Sequence, residues 1–142
     1  MEAKQTEVST SPKARNRLDK SARAKFLGGF AFAFAGLSYC FKTQINFRVH
    51  IAISILAVVL GIVLGLSWLE WALLATVIVV VMAAEMVNTM IESLVDLVTQ
   101  EYHPLAGIAK DIAAGVVLLT ALGAVVAGIF LFLPKLWALL HL

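Results

Sequence analysis

The chain has 142 residues, 61% of them hydrophobic and only 14% charged, with a formal net charge of +2 and a mean hydropathy of +0.95. Soluble domains carry about 25% charged and 45–50% apolar residues, so this composition excludes an ordinary soluble domain and points to an all-α integral membrane protein. The length allows one domain with three spanning helices and little more. A single cysteine, Cys40, excludes a disulfide framework and a cysteine-based metal site. No nucleic-acid partner is expected.

Seven of the eleven Lys and Arg residues precede Phe26. Short basic segments stay on the cytoplasmic side, which places the N-terminus inside the cell. Residues 1–24 read as a flexible basic tail that can rest on anionic lipid. From Lys25 the stretch KFLGGFAFAFAGLSYCF joins a basic flank, an apolar run and Ala31-Phe32-Ala33, which imitates a secretory signal. Gly and Phe residues break it, and a charged segment and a true span follow at once. An N-terminal amphipathic surface helix over about 25–42 is the better reading. Cys40 is not read as a lipoprotein site, because bulky Tyr39 stands where a small residue is needed. Phe26, Phe30, Phe34, Leu37 and Phe41 form the apolar side of the helix, near i+4 spacing, and Lys25 and Lys42 bracket it.

Lys42 to His50, KTQINFRVH, is a polar knot before the first span. Two readings stand: an interfacial anchor of snorkelling side chains, or a set, Gln44, Asn46 and Arg48, that faces a polar site. Three spans follow, at about 48–68, 71–98 and 108–134. Ile51 to Leu69 carries no charge and as a helix covers about 28 Å, enough for the hydrocarbon core. Gly61 and Gly65 make a small-xxx-small pair, which reads either as a site of close helix packing or as lipid-facing flexibility. Ser67 to Trp71 has two Trp at one level, which suit an interface belt, and no Lys or Arg, which places the turn on the outer side. The second span runs back inward. The third is rich in Ala and Gly from Ala113 to Gly128 and reads as a packing helix, closed by Pro134, Lys135 and Trp137.

The second span carries the chemistry. Glu85, Asn88, Glu92 and Asp96 are spaced i, i+3, i+7 and i+11, which places them within about 80° of arc on one helical face. Ionisable residues in a membrane span mark a functional site by default. Glu85 falls roughly two turns inside the cytoplasmic surface, Glu92 at it and Asp96 beyond it. Thr99 to Gly107 is a cytoplasmic turn, with Glu101 and His103 as solvated loop residues. Lys110 and Asp111 open the third span. Asp111 reads alone as an acid favoured by the helix dipole, whereas Lys110 stands beside the acidic face. Carboxylates, an amide and a lysine at a membrane surface suit a hard divalent cation and phosphate. A spare carboxylate can act as general base to a hydroxyl, and phosphoryl transfer needs little beyond positioning and charge neutralisation. No Walker-type loop or protein-kinase signature is present. The alternative is a small oligomeric ion channel or proton-relay protein. A channel would place acids deep on several spans, and here they gather toward one side of the membrane.

These residues resemble the bacterial membrane diacylglycerol kinase family, which includes undecaprenol kinases. The resemblance covers about Phe34 to the C-terminus and is densest in EMVNTMIESLVD and EYHPLAGIAKD. It implies a homotrimer of three-span subunits in the bacterial inner (plasma) membrane, with the active site cytoplasmic. It implies MgATP as phosphoryl donor and a membrane lipid alcohol, diacylglycerol or undecaprenol, as acceptor. It suggests Glu85 as catalytic base and Glu92 as metal ligand. Asn88, Glu92, Asp96, Lys110 and Asp111 would hold the nucleotide, and Glu85, Asn88, Arg48 and Asn46 would meet the lipid. There is one departure. Gln44 stands where the family usually has a Glu that shares the metal, and an amide oxygen ligates Mg²⁺ without adding charge. The NFRVH and EYHPLA wording is closer to the undecaprenol kinase branch.

Overall fold

The computed structural model describes the backbone of residues 12–140 and the side chains of residues 28–140. Four helices make up its secondary structure: α1 (Pro12–Thr43), α2 (Ile45–Val63), α3 (Trp68–Val98) and α4 (Pro104–Leu140). The last three are long and apolar enough to cross a membrane. The chain is therefore an all-α membrane protein with three spans, as its hydrocarbon runs require.

The described residues up to Tyr39 and those from Cys40 onward form two compact units. In the first, α1 starts at Pro12, a residue suited to the first helical position. It takes in residues 12–24, which sequence reading assigns to a flexible tail. Ala, Lys, Arg and Leu supply the helix propensity there. The first eleven residues lie outside the described ones, as does the side chain of Phe26. Phe30, Phe34, Leu37 and Phe41 of the expected apolar side are exposed, and so is Phe32, which lies off that stripe.

In the second unit all of the polar knot but Gln44 is helical. Gln44 alone separates α1 from α2, in extended backbone with φ −102° and ψ 117°. Asn46, Arg48 and His50 therefore stand on the first turns of α2, with Phe47 buried between them. At the other end of α2, Gly65 takes φ +62°. Its N–H donates to the Ile62 carbonyl at 3.3 Å, and the Leu66 N–H to the Gly61 carbonyl at 3.0 Å. These two bonds make a Schellman termination, which needs the left-handed conformation that glycine adopts at little cost. Gly61 and Gly65 thus do not form a helix-packing pair. Gly65 ends the helix, and Gly61 admits side chains from the turn and from α3. A Cβ at Gly61 would come within 2.9 Å of both the Leu66 Cδ1 and the Trp71 ring. Leu66, Leu74 and Leu131 form a small buried core, with Trp71, Ala57, Ile78 and Phe132 packed against it. Of the two tryptophans read as an interface belt, only Trp68 is exposed.

A capping box opens α3. The Ser67 N–H donates to Glu70 Oε2 at 2.6 Å, and the Glu70 N–H donates to Ser67 Oγ at 3.4 Å. Lys135 lies inside α4, which continues as helix through Pro134 to Leu140. Its ammonium reaches Glu70 Oε2 at 3.1 Å and the Gly65 carbonyl at 3.4 Å. At the other end Lys110 Nζ donates to Asp96 Oδ1 at 2.6 Å. Such surface pairs contribute little individually, but together they mark the antiparallel register of α3 and α4. The small residues of α4 pack little within the chain. Ala113 is buried, whereas Gly115 and Gly123 face open space.

Candidate active site

One stripe of α3 is buried along most of its length: Leu74, Val81, Ala84, Glu85, Asn88 and Thr89. Leu74 and Val81 precede Glu85 by eleven and four residues, so they share its side of the helix. The stripe thus turns from hydrocarbon to polar at Glu85. It then reaches the surface, with Glu92 half-buried and Asp96 exposed.

Glu85 is 2% exposed. His50 of α2 brings Nε2 to 3.4 Å from Glu85 Oε1, within ion-pair reach but without hydrogen-bond geometry. Oε1 consequently has no hydrogen-bond partner among the described residues. The nearby hydroxyls are turned back on their own helix. Thr89 donates to the Glu85 carbonyl at 2.9 Å and Ser93 to the Thr89 carbonyl at 2.8 Å, the local bonding that Ser and Thr favour inside helices. Asn88 Nδ2 donates to Glu92 Oε1 at 2.9 Å. That bond fixes the amide so that its Oδ1 is buried without a donor.

Glu92 offers a half-buried carboxylate, and Asn88, bonded to it through Nδ2, keeps Oδ1 buried without a donor, so this end of the stripe presents oxygen acceptors. Hard cations such as Mg²⁺ take such ligands, while soft metals prefer sulfur. The residues present therefore fit Mg²⁺. No three His, Cys, Asp or Glu side chains come together among the described residues.

The expected nucleotide contacts divide. Asp96 and Lys110 meet, but in their ion pair with each other. They border a pocket of about 250 Å³ that also touches Glu101, Tyr102 and His103 of the α3–α4 turn. Asp111 is exposed and lies two turns into α4, which has no acid in its first turn. It is therefore not a helix-start acid. Gln44 is half-buried and its side chain does not cap α2. Asn46 and Arg48 are exposed. Among the described residues, no hydrogen bond or ion pair joins Gln44, Asn46, Arg48 or Asp111 to Glu85 or Glu92.

Sequence reading left His50 without a role. Its signal was its place: a titratable ring just inside a span is itself an intramembrane ionisable residue. His50 also lines a cavity of about 330 Å³ between α2, α3 and α4. Apart from His50 and Ser54, its walls are hydrocarbon, from Ile53 and Leu60 to Phe132.

The fold and the site define a three-span membrane protein with an oxygen-rich site on its second span, beside an apolar cleft. The chain belongs to the prokaryotic diacylglycerol kinase family, whose model matches residues 31–132. This is a family of lipid kinases. The chain is similar to the diacylglycerol kinase of Synechocystis sp., 44% identical over 135 residues that cover 92% of this chain and 77% of the relative. It is also similar to the undecaprenol kinase of Bacillus subtilis, 37% identical over 122 residues, or 86% and 95% of the two chains. The diacylglycerol kinase of Escherichia coli K12 is 33% identical over 95 residues, or 67% and 78%. The relatives' names divide between two lipid acceptors and do not select one for this chain.

Proposed function

We propose that this protein transfers the γ-phosphoryl group of ATP to the hydroxyl of a membrane lipid, at the cytoplasmic face of the bacterial inner membrane. The observation that carries the reading is Glu85, a carboxylate 2% exposed with one oxygen free of donors, on a helix of a lipid kinase family member. Family membership leaves the channel alternative without support. The basic residues before Phe26 favour a cytoplasmic N-terminus, and residues 25–142 act as the catalytic unit.

In this reading Glu85 accepts the proton of the lipid hydroxyl as general base. The hydroxyl oxygen forms a bond to the γ-phosphorus, the bond from that phosphorus to the bridging oxygen breaks, and ADP leaves with the electron pair. When bound, Mg²⁺ supplies charge neutralisation at the phosphates. Glu92 and Gln44 would hold it, and Asn88 steadies Glu92 through their 2.9 Å bond. Lys110 would release Asp96 to meet phosphate, with Asp96 and Asp111 beside it. Asn46 and Arg48 would meet the lipid headgroup. Diacylglycerol and undecaprenol both present an alcohol on an apolar tail, as the reaction requires.

The test is incubation of the purified protein in lipid vesicles with γ-labelled ATP and Mg²⁺, using total lipid extract, diacylglycerol and undecaprenol in turn. One labelled lipid phosphate is expected, and its mobility names the acceptor. Absence of label in every lipid fraction would overturn the reading.

The metal role of Gln44 has its own consequence. A Glu at this position would add a charge, and Mg²⁺ affinity depends on ligand charge. In titrations at fixed, low ATP, Gln44→Glu is expected to need less free Mg²⁺ for half-maximal rate than the wild type, and Gln44→Ala more. Three coincident curves would make Gln44 an interfacial anchor only.

A homotrimer completes the proposal. Of the most apolar stretches of α2, α3 and α4, only 11%, 33% and 6% are buried within one chain. The open small-residue positions of α4 suit close neighbours.

A further inference from the structure

We infer that His50 is a positioning residue for Glu85, holding Oε1 through its Nε2–H so that Oε2 is presented to the lipid hydroxyl. The inference rests on the role proposed above for Glu85 and assigns it the partner that makes it effective. A carboxylate on a flexible Glu side chain turns about its last torsion. A general base must instead keep one lone pair on the line of the departing proton, and orientation of this kind carries a large part of a catalytic effect.

Few groups here can do the holding. Thr89 and Ser93 spend their hydroxyl protons on backbone carbonyls of α3, and the amide of Asn88 donates to Glu92. His50 is the side chain whose polar atom stands against the Glu85 carboxylate, at 3.4 Å. It comes from a different helix, so it can resist a rotation that a neighbour on α3 would follow. Its own placement is firm. Phe47, three residues earlier on the same side of α2, is 3% exposed and anchors that turn. The 3.4 Å separation lacks hydrogen-bond geometry, and catalytic hydrogen bonds are often long or poorly aligned before substrate arrives. A small turn of the imidazole brings Nε2–H into line with Oε1.

His50 also stands in the wall of the apolar cleft, with Ser54 one turn further along α2. The imidazole therefore lies between the hydrocarbon walls and the base. Held from the His50 side, Glu85 keeps its second oxygen for the hydroxyl.

The test uses the full chain in lipid vesicles with MgATP and a lipid alcohol. His50→Leu keeps volume and removes the donor, whereas His50→Gln returns an N–H at the reach of Nε2. His50→Leu is expected to lower kcat about 10- to 100-fold with KM for MgATP unchanged, a loss of the size that misplacement of a catalytic group causes. His50→Gln is expected to recover most of that loss, which a purely space-filling role would not allow. In the Glu85→Gln background His50→Leu is expected to cause no further fall in the residual rate, because a residue that acts through another is non-additive with it. Wild-type kcat in His50→Leu, failure of His50→Gln to exceed His50→Leu, or an equal fold loss in the Glu85→Gln background would each overturn the inference. The last three outcomes leave the role of Glu85 standing if Glu85→Gln is itself inactive. Wild-type turnover in Glu85→Gln removes both.

Discussion

Glu85→Gln is expected to lower lipid phosphorylation by about 10²- to 10⁴-fold, the range that general-base catalysis supplies, while the protein stays folded. The amide keeps the shape of the side chain and its place on the buried stripe of α3 but cannot accept the hydroxyl proton. The thermal midpoint should not fall. A buried carboxylate with an oxygen free of donors is costly to the folded state, and a neutral amide is less so. The two readouts therefore separate, with activity lost and stability kept or raised. Labelled-ATP turnover and a melting curve on the same preparation check both. A Glu85→Gln protein that turns over lipid at the wild-type rate would end the assignment of the base.

The second large effect concerns shared sites. One chain brings no three metal-binding side chains together among its described residues, and no hydrogen bond joins Gln44 to Glu92. If Gln44 of one chain serves the Glu85 site of the next, two damaged variants can complement. Equal amounts of Glu85→Gln and Gln44→Ala chains, exchanged at random into a cyclic trimer, would leave about a quarter of the sites with both native residues. At limiting free Mg²⁺, where the Gln44→Ala chain alone turns over little, activity near a quarter of wild type is then expected, above the mean of the two variants alone. With subunit exchange confirmed by tagged chains, activity no higher than that mean at any ratio would place the whole site in one chain.

The three spans were legible because a membrane demands about 20 apolar residues per helix, and such runs are read directly from the chain. The acidic face was legible because helical periodicity is local: Glu85, Asn88 and Glu92 must share a side wherever the helix sits. The resemblance carried by EMVNTMIESLVD and EYHPLAGIAKD was enough to name the family. Helix ends were less legible. α1 and α4 run past the bounds read for the surface helix and the third span, since helix propensity continues beyond them and Pro134 does not end α4. Two glycines four apart look alike whether they pack helices or end one. The backbone turn at Gly65 and the Leu66 and Trp71 side chains over Gly61 depend on residues beyond the helix.

Read from the residues alone were the class of protein, the number of its spans, its family and which carboxylates share a face of α3. The tertiary structure alone decided that Lys110 pairs with Asp96, that Lys135 clamps the turn before α3, and that His50 stands against Glu85. The physical reason is that a helix's own face is fixed by its geometry. Which residue of another helix meets that face depends on register and rotation, and these are set by packing along the full length of both helices rather than by any local run of residues.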